Sequence, residues 1–169
     1  MGRKRSRDSG GGTDVSGTDF ELLLRATFAA ALGFTIGWTR ERRGSAAGDR
    51  TYAMIALGAA AFTAIGVDDF PATAEKLIAG IVTGVGFLGA GVIMRQGTGE
   101  IKGLTTAASI WAVAAVGVVV GAGDYLMGAA IAALILLILE WNRIPLLNKL
   151  GHGGEGRTES NGQEADSPA

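Results

Sequence analysis

The fold is decided by the stretch Gly84-Val85-Gly86-Phe87-Leu88-Gly89-Ala90-Gly91-Val92-Ile93-Met94-Arg95. It is apolar up to its last residue, and four of its first eight residues are glycine. In water each glycine inside a helix costs roughly 1 kcal/mol relative to alanine, so the stretch would disfavour a helix. In a bilayer the backbone has no water to bond, and small residues let neighbouring helices approach closely. The stretch therefore predicts a membrane helix, provided that the rest of the chain also lies in a bilayer.

Composition excludes several classes of function. The chain has 169 residues, is 48% hydrophobic and has a mean hydropathy of +0.32, although both of its ends are strongly polar. Its net charge of −1 gives no global attraction to nucleic acid, so no nucleic-acid partner is expected. Cysteine is absent, and the single histidine, His152, lies in a glycine-rich tail. We therefore predict no catalytic residues, no metal site and no cofactor, and we do not expect an enzyme.

Five apolar segments approach or reach the length that crosses a hydrocarbon core of roughly 30 Å. They predict an all-α, polytopic membrane protein with about five transmembrane helices. Its transmembrane domain covers residues 20–143, and the lipid bilayer is expected to surround it as a partner. The polar ends, 1–19 and 144–169, are predicted to be disordered tails because they cannot bury enough apolar surface to fold. The predicted spans are 20–38, 51–67, 73–94, 104–121 and 125–140.

Two other architectures remain open at this point. In one, the chain has four spans and the second segment is a re-entrant hairpin arm. In the other, the chain is a soluble helical bundle, but such helices would have charged outer faces, and the fourth and fifth segments have none.

Glycines spaced four residues apart recur in three of the apolar segments. Such pairs lie on one helix face and predict close helix packing in a membrane. The pairs are Gly33 with Gly37, Gly80 with Gly84, and Gly117 with Gly121.

The distribution of basic residues predicts the orientation. The loops at Arg40–Arg50 and Arg95–Lys102 share one side with the C-terminal tail, and this side carries more arginine and lysine than the other. We therefore expect the C-terminus in the cytoplasm and the N-terminus outside, although the basic cluster Arg3–Arg7 favours the reverse. Arg25 lies near the start of the first segment, where a long side chain is expected to snorkel to the interface.

Two polar groups are candidates for function. The Arg40–Arg50 loop is either a gate or docking surface, or a basic loop that only anchors topology. Thr105, Thr106 and Ser109 form a hydroxyl face at the start of the fourth segment, which either joins helices or lines a polar path. No carboxylate lies in the middle of a span, so a cation site built from side chains is not predicted; exposed carbonyls around Gly84–Gly91 would be the only substitute.

Three motifs in this order resemble the membrane domain of the MgtC/SapB family, over roughly residues 20–140. They are Gly37-Trp38-Thr39-Arg40-Glu41-Arg42-Arg43-Gly44 with Ala47-Gly48-Asp49-Arg50-Thr51, then Gly84-Val85-Gly86-Phe87-Leu88-Gly89-Ala90-Gly91, then Gly103-Leu104-Thr105-Thr106-Ala107-Ala108 with Trp111 and Gly121-Ala122-Gly123-Asp124-Tyr125. The resemblance implies an inner-membrane protein with about five spans, associated with magnesium homeostasis and low-magnesium adaptation.

The resemblance also implies a set of functional positions and some partners. The partners it implies are another membrane complex, such as a transport ATPase or the F-type ATP synthase, or a second copy of the chain. The positions carried over are Arg40, Glu41, Gly48, Arg50, Thr51, Gly84, Gly86, Phe87, Gly89, Gly91, Gly103, Leu104, Thr105 and Thr106.

The chain departs from the family pattern in two positions and in length. Thr39 stands where the family usually has Glu, and Asp49 where it usually has Leu, so a role that needs paired acids in this loop is in doubt. Larger members carry a folded cytoplasmic C-terminal domain, whereas about 25 polar residues follow Pro145 here. Two functions are therefore weighed: a regulatory or partner-binding membrane protein, and a small transporter or channel component for magnesium or another ion.

Overall fold

The computed structural model describes residues 17–95 and 101–141 of the chain. The predicted disordered tails lie outside this part, except for residues 17–19, which instead open the first helix. The chain divides into two compact units, Met1–Ile135 and Leu136–Ala169. Of the second unit, the structure describes residues 136–141.

The structure confirms the all-α fold class. Its only strands among the described residues are two of two residues each, β1 (Met94–Arg95) and β2 (Ile101–Lys102), which pair antiparallel. The helices are α1 (Gly17–Glu41), α2 (Asp49–Asp69), α3 (Ala74–Gly91), α4 (Leu104–Gly121) and α5 (Tyr125–Leu139), with a 3₁₀ turn at Pro71–Thr73.

By length and composition, four helices of the described chain can cross a membrane: α1, α2, α3 with its preceding 3₁₀ turn, and α4. The fifth, α5, is apolar but has 15 residues, or about 22 Å at 1.5 Å per residue, which is less than a core of roughly 30 Å. The structure therefore supports four full-length spans and a shorter apolar fifth helix.

The third predicted span is too long at its C-terminal end. Helix α3 ends at Gly91, and Met94 belongs to the β1–β2 hairpin instead. The chain then enters α4 through Gly103, whose φ of +94° lies in the left-handed region, and a Cβ there would collide with the Val92 carbonyl. Only glycine fits this position without strain.

Helix α2 lies at the centre of the bundle and contacts α1, α3 and α4. It is one continuous helix of 21 residues, which contradicts the re-entrant alternative for the second segment. Its buried residues are mostly small, including Ala56, Ala60 and Ala64, so the three-helix core of α1, α2 and α4 packs backbone close to backbone.

Two of the three glycine pairs lie where helices touch. A Cβ at Gly33 would lie 2.5 Å from the carbonyl oxygen of Tyr52, and one at Gly37 would lie 2.5 Å from the Cα of Asp49. On the other side of α2, a Cβ at Gly117 or Gly121 would collide with the backbone carbonyls of Ala56 and Ala60, respectively. Since the obstacles are backbone atoms, any side chain would force the helices apart.

The third pair differs. At Gly80 and Gly84 no heavy atom of the described chain lies within 4 Å of a Cβ position, so the predicted packing of this pair is not made within the chain. Helix α3 is also the least buried of the four long helices. Gly80 and Gly84 line an open apolar groove instead.

This contrast generates a prediction about stability. Gly117→Ala should lower the free energy of unfolding by about 1–3 kcal/mol, because the added methyl meets the Ala56 carbonyl and forces a backbone shift. The matched control is Gly80→Ala, which meets no atom and should leave stability unchanged or raise it by up to about 1 kcal/mol. Unfolding followed in bicelles measures both; equal stability of the two variants would contradict the packing described above.

Candidate functional site

The Arg40–Arg50 loop folds back on the end of α1. The amide N–H groups of Arg43 and Ser45 both donate to the Arg40 carbonyl, at 3.0 and 3.2 Å, and Gly44 takes a positive φ of 68°. This tight turn returns Ser45 to the side chain of Arg40.

Arg40, Ser45 and Thr106 meet in one polar cluster between α1, the loop and α4. Arg40 Nη2 donates to Thr106 Oγ1 at 3.2 Å and to Ser45 Oγ at 3.4 Å, and the two hydroxyls lie 3.0 Å apart. Thr106 is buried, and Arg40 Nε is buried with no hydrogen-bond partner in the described structure. The cluster therefore joins the Arg40–Arg50 loop to the start of α4 at one end of the bundle.

Glu41 holds the beginning of α2. Its Oε2 accepts a hydrogen bond from the Asp49 amide at 3.1 Å, so it occupies the positive N-terminal end of that helix. A Cβ at Gly48 would lie 2.5 Å from the same oxygen, so a side chain there would displace the Glu41 carboxylate. Arg50 follows in the first turn of α2 and is exposed, and Thr51 is partly buried at the edge of the groove.

The two departures from the family pattern have local partners. Thr39 Oγ1 donates back to the Ile36 carbonyl at 2.8 Å, within its own helix. Asp49 Oδ1 accepts from the Arg50 amide at 2.6 Å. Asp49 thus adds a carboxylate in the first turn of α2, near the one from Glu41, and Thr39 contributes no charge to the loop.

A second hydroxyl contact lies one turn deeper. The hydroxyl groups of Tyr52 and Ser109 lie 2.5 Å apart, and Ser109 Oγ also donates to the Thr106 carbonyl at 2.9 Å. Both side chains are buried. The sequence analysis identified the hydroxyl groups of Thr106 and Ser109 as candidates for contacts between helices, but it missed Tyr52. The one sign of its role was a phenol near the start of an apolar segment.

The remaining predicted positions do not join this cluster. Gly89 packs against Ala107 of α4, with 3.5 Å from its Cβ position to the Ala107 oxygen, but Gly86 and Gly91 have no atom within 4 Å. Phe87 is 81% exposed, and Leu104 and Thr105 are exposed as well. The site predicted from the resemblance is therefore split into a polar cluster around Arg40 and an outward face on α3.

The groove beside Gly80 and Gly84 has a volume of about 710 Å³. We call it the α2–α3 groove: it runs between Thr51 and Phe62 on α2 and between Lys76 and Val92 on α3, and Ile110 of α4 forms part of its floor. Thr51 and Lys76 are the two residues in its lining that are not apolar.

A second buried cluster lies at the opposite end of the bundle, around Arg25. Its Nη1 donates to the Gly121 carbonyl at 3.0 Å and to Asp68 Oδ2 at 3.4 Å, and its Nη2 pairs with Glu21. The residue is 8% exposed, so its guanidinium is held by oxygens of α1, α2 and α4 at this end of the bundle, which the sequence analysis did not predict. The missed signal was Glu21, four residues before Arg25 on the same helix face.

The clusters around Arg40 and Arg25 hold helices together. Both arginines bind hydroxyl, carbonyl or carboxylate oxygens that connect helices. Within residues 17–95 and 101–141, no group of three or more His, Cys, Asp or Glu side chains is arranged to hold a metal ion.

A family model described as "MgtC family" matches residues 27–144 of the chain. Among curated proteins, Protein MgtC of Salmonella typhimurium strain LT2 is 40% identical over 139 residues, covering 81% of this chain and 60% of that protein. The "Putative magnesium transporter YhiD" of Escherichia coli strain K12 is 39% identical over 129 residues, covering 71% and 60%. A Synechocystis protein is 38% identical over 140 residues, covering 82% and 59%.

The chain spans about three fifths of the length of these curated relatives. No solved structure matches it significantly.

The polar cluster generates a second prediction. Thr106→Val should lower the free energy of unfolding by about 1–3 kcal/mol, because it removes the oxygen that receives Arg40 and leaves buried polar atoms unpaired. Thr105→Val is the matched control: the same change at the exposed neighbouring position should stay within about 0.5 kcal/mol of the parent. The measurement is again unfolding in bicelles, and similar losses in both variants would show that the cluster does not hold the loops together.

Proposed function

Because the chain belongs to the MgtC family, we propose that it is an inner-membrane protein that regulates or binds another membrane complex and serves magnesium homeostasis or low-magnesium adaptation. The multi-pass membrane character follows from its apolar helices and its family. One of the relatives given above is named a putative magnesium transporter.

The observation that carries this proposal is the closed core of α1, α2 and α4. Between the buried hydroxyls of Tyr52 and Thr63, α2 meets α4 through alanine and glycine, with Gly117 against the Ala56 backbone. Magnesium needs near-octahedral oxygen ligands and keeps several waters, which this seam does not provide. A path for a hydrated cation through the core would require the helices to separate, so the core supports a partner-binding role better than a conduit.

The outward face of α3 is the part of the molecule best suited to a partner helix. Phe87 is 81% exposed, and Gly86 and Gly91 have open space at their Cβ positions. A large apolar side chain between small residues offers both a knob and room for a close helix approach. Phe87 does not line the α2–α3 groove, but it lies seven residues after Gly80 and so stands beside the rim of that groove.

We also propose the orientation with the N-terminus outside and the C-terminus in the cytoplasm. The contacts of Arg40 with Ser45 and Thr106 support it, because they bring both basic loops to one end of the bundle. An arginine- and lysine-rich end belongs in the cytoplasm.

The experiment is in-membrane cross-linking followed by co-purification of the full chain from native membranes. We expect a partner complex, and the resemblance directs attention to a transport ATPase, the F-type ATP synthase or a second copy of the chain. Phe87→Ala should reduce capture severalfold without changing membrane insertion, whereas Leu126→Ala, which removes an equally exposed side chain from α5, should leave capture unchanged. Recovery of the chain without any cross-linked protein would refute the proposal.

The alternative is a small transporter or channel component for magnesium or another ion, which the printed name of the E. coli relative favours. Purified protein in liposomes tests it with a magnesium-sensitive dye. We expect no flux above that of empty liposomes because the core is closed. Flux that changes in Glu41→Gln or Arg50→Gln would establish the alternative.

A further inference from the structure

Arg50 stands at one end of the α2–α3 groove. Met54, Gly58 and Phe62 follow it at intervals of four residues, so all four lie along one stripe of α2, and the last three line the groove. Arg50 is exposed, and its side chain has no hydrogen bond or ion pair with any residue in the described ranges. Arg50 therefore precedes the Thr51 end of an apolar groove by one residue, on the stripe of α2 that lines it.

The acids nearest to Arg50 along the chain are already engaged. Asp49 accepts a hydrogen bond from the Arg50 amide, and Glu41 accepts one from the Asp49 amide. Arg40, Arg42 and Arg43 add positive charge to the same loop. The opposite end of the groove differs, because Lys76 there follows Glu75 and the acidic pair Asp68-Asp69. Only the Arg50 end has the charge that attracts an anion.

The dimensions of the groove suit a single extended chain. From Thr51 to Phe62 the α2 wall is about 16 Å long, and from Lys76 to Val92 the α3 wall is about 24 Å long, so the groove extends over at least half of a hydrocarbon core of roughly 30 Å. The groove volume of about 710 Å³ leaves room for one acyl chain laid along its length.

Glycines give the groove its depth. Gly58 on one wall and Gly80 and Gly84 on the other have no atom within 4 Å of their Cβ positions. Each would otherwise carry a side chain into this space. The open positions on both walls match a narrow apolar ligand between the helices.

We propose that the α2–α3 groove binds one acyl chain of an anionic phospholipid, with the lipid phosphate on Arg50. Arginine suits this role because its planar fork can donate two parallel hydrogen bonds to a phosphate. The chain then fills the part of the groove along Met54 and Gly58, and the headgroup stays at the depth of the basic loop.

Native mass spectrometry of the full-length, delipidated protein tests this. The probes are phosphatidylglycerol and phosphatidylcholine with identical acyl chains, offered at equal concentration. We expect the parent to retain phosphatidylglycerol about fivefold better, the preference that one arginine near an anionic headgroup gives. Arg50→Gln should bring the ratio close to one, and Arg42→Gln, which removes an exposed arginine held over Trp38, should leave it unchanged.

Substitutions that fill the groove distinguish the contribution of the acyl chain to binding from that of the headgroup. Gly58→Leu should reduce retention of both lipids without changing their ratio, and Gly80→Leu tests the same point from the opposite wall. Ala130→Leu adds the same bulk on the exposed side of α5 and should change neither lipid.

Three results would overturn the proposal. Equal retention of the two lipids by the parent would remove the headgroup preference. The same loss in Arg42→Gln as in Arg50→Gln would assign the preference to the basic surface as a whole. A dimer of the parent that is lost in Gly58→Leu would place a protein helix in the groove instead.

Discussion

The close approach of α2 to α1 and α4 is the constraint on which the rest of the structure depends. It holds only because Gly33, Gly117 and Gly121 carry no side chain where the carbonyls of α2 pass. In a bilayer the apolar surfaces of helices gain nothing from leaving lipid, so association rests on such packing and on polar contacts between helices. The contact also fixes the rotation of α2, and with it the side on which Tyr52 and Thr63 are buried.

Polar side chains reinforce this packing at both ends of the core, and both do so through α4. Arg40 reaches the hydroxyl of Thr106 at the start of α4, and Arg25 reaches the carbonyl of Gly121 at its end. The orphaned oxygens at a helix C-terminus suit a guanidinium well. Between the two arginines the core holds small apolar residues, so the charges lie near the depths where a membrane helix tolerates them.

Most of the fold could be predicted from local sequence, because apolar length and terminal charges define membrane helices one at a time. The predicted fourth span, 104–121, matches α4. The predicted third span wrongly included Met94, because strands of two residues are too short to leave a periodic pattern in the sequence. Partners distant in sequence were not predictable: Arg25 and Gly121 are 96 residues apart. The glycine pairs failed in a similar way, since spacing cannot tell a pair that meets a carbonyl, such as Gly117 with Gly121, from one that faces open space, such as Gly80 with Gly84.

The division between a closed core and an open α3 has a consequence for how this membrane domain can work. Three helices are locked by contacts between backbones, so a change of state that moved α2 against α1 or α4 would have to break many of them at once. Helix α3 is held on one side only, mainly through Val85 and Gly89, which are its buried residues. It also carries the basic hairpin that leads into α4. A ligand or partner that binds along α3 therefore acts on the least restrained long helix, and the β1–β2 hairpin connects that helix to the start of α4, where Thr106 binds Arg40.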